Sequence, residues 1–466
     1  MSTYGDAEEL FIDCTWAWFE ENWREALLVS REIDVFSSAL VVWLMIVERL
    51  GSRGGLSGAL EALREGEASK VIERVGATKP IRNRSFSEHT SGYSKARGRL
   101  PLEKVTALAD VVSAALQKKL TSSKVTGKQP AYFIDGSMFS MERTAENLSR
   151  YAPGRNQYRE IHNSQLSAVF AHDVRTGLAL RPEYGAYRGE TAVGEVTLAK
   201  RLIERLPERS LLVMDRAFGI SQMLIAADGL GHEVLVRLSG ARATRFLSQC
   251  KKKGNVDEAV TWVPSADEQK RLADVLKGST VEGRFIRHTV KRKRYRDIEL
   301  LLFTTTQAPV AELLELYRRR QDIETDFRSL KYTVNLDFMY SKTPDMVEKE
   351  LILAVAAYNL VRALVARGAK EVGIEPRKIS FSRAVSAVRT LGRYSVTETS
   401  PAERKRNWQR FLKQLTQIKL PTRASFRSEP RKIARNKAQW VTMTGTREEE
   451  RQKLRLLEQT VKPSRK

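Results

Sequence analysis

The sequence predicts an α/β layered domain with helical regions on either side, and three observations carry that expectation. Residues 1 to about 127 place apolar side chains at 3–4 spacing and show no strand pattern. Residues 131–238 interleave short apolar strands with amphipathic helices. From about 307 the chain is helical again, and it ends strongly basic.

Taken in order, the first region predicts helices over 9–30, 35–50, 56–75 and 102–120, separated by "GSRGGLSG" and "HTSGYSKARGRLP". Arg82, Arg84, Lys95, Arg97 and Arg99 lie among Phe86 and Tyr93 in 80–101. That mixture suits phosphate contact or a plain solvated loop. "SSKVTGKQ" (122–129) reads as a linker. "AYFIDGS" (131–137) is a short apolar strand ending in an acid, and "QLSAVFAHD" and "GLALRPEYGA" are two further strands joined by a turn. An amphipathic helix over 193–206 leads to "SLLVMDRAFG" (210–219). Its continuous apolar run suits a buried parallel strand, again ending in an acid. A glycine-terminated helix and the strand "HEVLVRL" follow.

Between about 240 and 306 the pattern weakens to "AVTWV", "GRFIRHTV" and "IELLLFTTT", with "KRKRYR" among them, which reads as a β-rich basic insertion. Helices are expected over roughly 309–331 and 346–368. "LILAVAAYNLVRALVA" is interrupted by Asn359 and Arg362 and reads as a buried helix. The expected domains are a helical 1–127, a core in two parts (128–239 and 307–369) split by the insertion 240–306, and a basic helical 370–466.

The chain of 466 residues carries 80 Lys/Arg against 56 Asp/Glu, a formal charge of +24. Residues 401–466 alone hold 19 basic and six acidic side chains. An excess so concentrated points to a polyanion, most simply nucleic acid. A membrane-surface protein would want a lipidation signal or an amphipathic anchor, and neither is present in the sequence. Cys14 and Cys250 make neither a disulfide framework nor a zinc site. The acidic start lacks a signal-peptide core, and "ALVVWLMIV" (39–47) is too short to span a bilayer, so a cytoplasmic protein is expected. There is no P-loop, no G-x-G-x-x-G after a strand and no G-x-S-x-G elbow, and the five histidines lack metal spacing.

Three acids stand out by position. In "YRRRQDIETDFRSLK" (317–331), a helical wheel puts Tyr317, Arg320, Glu324 and Lys331 in a stripe about 60° wide, beside the apolar Leu316, Ile323, Phe327 and Leu330. On that wheel Asp322 and Asp326 face away, while Glu324 borders the buried side. A carboxylate there needs a partner, either one of the neighbouring cations or a metal ion. Asp135 and Asp215 end two strands. Each could cap the next turn, or the two could converge at one rim of a sheet. Three carboxylates without His or Cys suit Mg²⁺ or Mn²⁺. Two such ions would serve phosphodiester displacement.

The spacing Tyr317-x2-Arg320-x3-Glu324-x6-Lys331 resembles the signature of bacterial insertion-sequence DDE transposases of the branch named for that Tyr-Arg-Glu-Lys pattern. "FIDGS" and "VMDRAFG" resemble the family's first and second Asp motifs. "YSKARGRLP" resembles a stretch of its N-terminal domain. The gap of 109 residues from Asp215 to Glu324 is similar to that of relatives with a β-rich insertion.

The resemblance covers about residues 80–368. It implies a ribonuclease-H-like core in which Asp135, Asp215 and Glu324 hold two Mg²⁺ (or Mn²⁺). Water would attack a phosphodiester at the element end, and the freed 3′-OH would attack target DNA. Tyr317, Arg320 and Lys331, with Arg216 beside the second Asp, would contact phosphates. The implied partners are double-stranded DNA at element ends and target, and a second copy of the chain in the DNA complex. Many relatives carry Trp after the signature Arg, where this chain has Gln321. Trp262 and Tyr295 in the insertion are candidates for stacking a displaced base, with a core role the alternative for each. A nuclease that cuts without joining, or a silent DNA-binding relic, remain the rival readings.

Overall fold

The computed structural model describes residues 35–50, 55–66, 68–75, 78–120, 129–155, 160–248, 254–271, 278–291, 297–395 and 447–460, with isolated positions elsewhere. Among the fully described elements, the N-terminal region holds α1 (Ser38–Leu50), α2 (Leu56–Glu65), α3 (Ser69–Val75), α4 (Lys79–Arg82), α5 (Ser91–Arg99) and α6 (Leu102–Leu120). The helix expected over 56–75 is two. Gly66 adopts a left-handed conformation (φ 89°), and its N–H caps the carbonyls of Ala62 and Leu63, which ends α2. Residues 79–82 and 91–99 are helical where a loop was expected. In that stretch Phe86, Tyr93 and Arg97 are buried, so they are part of the core and not of a solvated loop.

The α/β core begins with β1 (Ala131–Met141), α7 (Ala145–Arg150), β2 (Pro153–Arg155), β3 (Glu160–Asp173) and β4 (Glu183–Ala186). It continues with α8 (Glu195–Ile203), β5 (Leu211–Met214), α9 (Ser221–Gly229), β6 (Glu233–Arg237) and α10 (Gly240–Leu247). Then come β7 (Val256–Trp262), α11 (Ala266–Arg271), β8 (Val281–Val290) and β9 (Ile298–Thr304). The strands join one sheet in the order β2-β3-β1-β5-β6-β9-β8-β7, with β4 pairing β3 off that path. β1, β5 and β6 are parallel where residues 131–134, 211–214 and 234–236 are buried, and β3 and β9 run antiparallel to their neighbours. The strands of the basic insertion therefore extend the core sheet through β6–β9 pairing.

The closing helices are α12 (Val310–Arg318), a 3₁₀ turn (Arg319–Gln321), α13 (Asp322–Arg328) and a wider π turn (Ser329–Thr333). After β10 (Phe338–Met339) comes α14 (Pro344–Glu371), started by Thr343, whose side chain accepts from the Met346 N–H, and by Pro344. Helices α15 (Phe381–Ser395) and α16 (Arg447–Thr460) follow. α14 is long and apolar enough to cross a membrane by composition, yet it is buried along nearly its whole length against α1, α6 and the sheet. The whole is a mixed α/β sheet between helical N- and C-terminal regions, consistent with a ribonuclease-H-like fold carrying helical extensions. Tyr295 and most of 401–466 lie outside the described residues.

Candidate active site at the ends of two parallel strands

Side chains alternate along β1, and the odd positions form one face: Ala131 and Phe133 pack against Leu313, Leu316, Tyr317 and Ile323 of α12 and α13. Asp135 continues that face at the point where the parallel pairing of β1 with β5 ends, at Ile134 and Met214. Asp215 is the next residue after Met214. Two acids far apart in sequence thus stand side by side at the carboxyl ends of adjacent parallel strands, where neighbouring chains run about 5 Å apart. Asp135 Oδ1 accepts the Gly136 N–H at 2.9 Å. Asp215 Oδ1 accepts the Ala217 N–H at 2.7 Å, so this acid does cap the following turn. That bond occupies one oxygen and leaves the other.

Burial pushes the Asp135 carboxyl up, and Asp215 adds to the shift; Arg320 and the Gly136 N–H oppose it. Arg320 Nη1 donates to Asp135 Oδ2 at 3.0 Å, with both side chains half-buried. Tyr317 is nearly buried, and burial raises its hydroxyl above the ordinary phenol range. Arg320, Arg237 and Asp215 are near enough to act on it. Four of the anticipated residues, Asp135, Asp215, Tyr317 and Arg320, are therefore gathered here.

Glu324 lies one turn beyond Arg320 with an exposed side chain, and Asp326 is fully buried. This reverses the orientation predicted for α13. The cause is the 3₁₀ turn at 319–321. At about 120° per residue in place of 100°, three residues advance the wheel by roughly 60°. The shift carries Asp326 into the apolar stripe and Glu324 away from it.

Asp326 is held by Arg362 (2.6 Å), Arg377 (2.8 Å) and the Tyr358 hydroxyl (3.0 Å). Burial pushes its carboxyl up, but Arg377 and Arg362 outweigh burial and hold it below the usual range. His172, 3.5 Å away, is driven down to about 4 by its own burial and is neutral. Asn359 and Arg362, the polar breaks in the apolar helix, are used inside the protein: Asn359 bonds both backbone groups of Ala179.

Lys331 sits on the π turn with its Nζ 5.2 Å from the Phe139 ring centre. It lines a cleft of about 860 Å³ with Arg97, Tyr332, Tyr340 and Lys342. Phe139 is four residues on from Asp135, so Lys331 stands roughly 13 Å along the strand from the paired acids. Arg216 is exposed, and its carbonyl accepts from Arg242 at 2.7 Å. Trp262 is core: it is buried, its Nε1 donates to Ser221 Oγ at 2.9 Å, and it packs on Phe246 and Phe303. Its stacking on a displaced base is thereby excluded in this conformation.

One residue of the rim escaped the sequence reading. Glu195 opens α8, and burial, Asp135 and Asp215 all raise its carboxyl. An acid in the first turn of a helix is so ordinary that its spacing gives no signal. Among the described residues, no group of three or more His, Cys, Asp or Glu side chains is placed to hold a metal ion in this conformation. The donors present are nevertheless all carboxylate oxygens, and space beside Gly136 is filled by the Glu195 carboxyl where a Cβ would otherwise sit. That chemistry fits a hard divalent cation.

A mixed sheet with two acids at the ends of adjacent parallel strands is consistent with a ribonuclease-H-like core, and the comparisons give its family. The profile described as the transposase DDE domain matches residues 126–360, and the chain belongs to that family. The transposase InsG for insertion sequence element IS4 of Escherichia coli (strain K12) is 28% identical over 307 residues. That alignment covers 64% of this chain and 66% of the relative, just under two thirds of the relative's length. The cryo-EM structure of the piggyBac transposase synaptic complex with hairpin DNA is similar at a TM-score of 0.40 and 10% identity. The similarity covers 85% of this chain and 86% of that one.

Proposed function

We propose that the chain is an insertion-sequence DNA transposase of the Tyr-Arg-Glu-Lys branch, which hydrolyses phosphodiesters at element ends and joins the freed 3′-OH to target DNA. The observation that supports this most is the pairing of Asp135 with Asp215 at the ends of β1 and β5, inside the segment that matches the transposase DDE domain. Asp135, Asp215 and Glu324 would hold two Mg²⁺ or Mn²⁺ ions, which supply charge to activate the attacking oxygen and stabilise the leaving one.

The chain's own residues do the rest. Arg320 neutralises Asp135 in this conformation and is placed to turn its guanidinium to a phosphate when a cation replaces it there. Tyr317 keeps its proton at neutral pH, so it can donate to a phosphate oxygen. Exposed Arg216 extends the grip beside Asp215, and Lys331 offers a cation further along the strand. DNA lying across this rim is brought there by the positive charge of the chain. Two element ends call for two copies of the chain, so the DNA complex is a homodimer in this reading. The reading places it on the nucleoid in the cytoplasm.

The test is DNA cutting by the full chain on duplexes carrying the ends that flank its own gene. Cutting should require Mg²⁺ and stop with EDTA. Asp215→Asn should lose it by a thousandfold or more while binding the same duplex. Undiminished cutting by Asp215→Asn or in EDTA would defeat the proposal.

A further inference from the structure

Two tyrosines near the closing helices are exposed although the backbone beneath them is tightly held. Tyr332 is 66% exposed on the π turn, and Tyr340 is 72% exposed just past β10. The π turn is tied back by the Leu336 N–H, which donates to the Leu330 carbonyl at 3.2 Å, and by the Asp337 N–H, which donates to the Lys331 carbonyl at 3.1 Å. Arg49 of α1 donates to the Asn335 carbonyl at 2.8 Å. β10 pairs with β1, and beyond it Asn147 and Thr144 donate to the carbonyls of Ser341 and Lys342 at 3.0 and 2.6 Å. The Phe338 ring meets the Tyr340 ring edge-on, with centres 4.9 Å apart. Scattered exposed tyrosines are ordinary, but two on a fixed backbone form a platform.

Both rings border the cleft of about 860 Å³ between the N-terminal helices and the core. On its floor Glu48 and Glu350 are matched by Arg49 and Arg97, so the floor is neutral as a whole. Its walls set Lys331 and Lys342 against Asp337, which leaves them positive. One concave surface thus offers two aromatic rings and two ammonium groups. An aromatic ring stacks on any base whose face is free, and an ammonium group meets the phosphate beside it. Bases inside a duplex are already stacked on their neighbours, so the occupant this chemistry fits is an unpaired nucleotide. Lys331 stands roughly 13 Å along β1 from the paired acids. That is about four steps of stacked DNA, at about 3.4 Å each along one strand.

We propose that this cleft receives an unpaired nucleotide of a DNA end, its base against Tyr332 and Tyr340 and its phosphates on Lys331 and Lys342. The proposal goes beyond duplex cutting and rests on the DNA-processing reading given above.

The test is fluorescence anisotropy on the full-length chain without metal. It compares a blunt duplex with the same duplex carrying a single-stranded tail of about four nucleotides. The tailed duplex should bind about fivefold more tightly or better. Tyr332→Ala and Tyr340→Ala should each reduce that difference, and the double variant should abolish it. Tyr340→Phe should retain it, because stacking needs the ring and not the hydroxyl. Both rings are exposed, so the variants should keep the thermal midpoint of the wild type. A tail preference unchanged in the double variant, or absent from a wild type that binds the blunt duplex, would overturn the role of the cleft and leave the transposase reading standing. Failure of the wild type to bind either DNA would overturn both.

Discussion

At the residue scale, Glu324 and Asp326 of α13 lie two positions apart with opposite fates, the first exposed and the second buried. Asp326 is buried behind the site and ties α13 to α14 through Tyr358 and Arg362, and to the following 3₁₀ turn through Arg377. Asp326→Asn would leave two buried guanidinium groups without their charge partner, at a cost of about 3–5 kcal/mol. Urea unfolding of the variant measures this; a loss below about 1 kcal/mol would mean the network relaxes. The sequence made Asp135 and Asp215 legible, because a buried strand ending in an acid is a local pattern. It hid Asp326, Arg362 and Arg377, because their pairing joins segments up to 51 residues apart. Glu195 was hidden for a different reason: its carboxyl occupies the space where a Cβ of Gly136 would sit, which only the packed structure reveals.

At the element scale, strand positions were legible because continuous apolar runs report burial on both faces. The phase of the closing helix was not, since hydrophobic periodicity assumes 100° per residue and the chain tightens to a 3₁₀ turn at Arg319–Gln321. Attachment of β7–β9 to the core sheet was also illegible, because the pairing of β6 with β9 depends on a crossover that no local pattern encodes. Close packing there leaves a specific weakness. A Cβ on Gly283 would come within 2.6 Å of Phe303 Cζ and of the Thr304 carbonyl oxygen, which belongs to the backbone and cannot step aside. Gly283→Ala should therefore cost about 1–3 kcal/mol, read as a lowered thermal midpoint. An unchanged midpoint would show that β8 and β9 can separate there without loss.

At the scale of the whole molecule, buried ion pairs fasten the N-terminal helices to α14. Arg97 bonds Glu350 at 3.1 Å and stands 3.7 Å from Glu48, Tyr93 donates to Glu48 at 2.5 Å, and Arg49 meets Glu350 at 3.2 Å. The "YSKARGRLP" stretch thus supplies a structural joint through Tyr93 and Arg97, leaving Arg82, Arg84, Lys95 and Arg99 exposed. The net charge of +24 has a measurable consequence. If six or more phosphates are neutralised on binding, affinity for duplex DNA should fall about a thousandfold or more between 50 and 200 mM salt. A nearly flat salt dependence, in a filter-binding or anisotropy titration, would contradict a DNA-binding role. The most direct measurement is strand cleavage and joining on the DNA ends that flank the gene, with Mg²⁺, by wild type and Glu324→Gln. The account predicts cutting and joining by the wild type, with both lost in the variant and DNA binding kept. Equal activity in the variant would contradict the placing of Glu324 among the catalytic acids, and cutting without joining would contradict strand transfer.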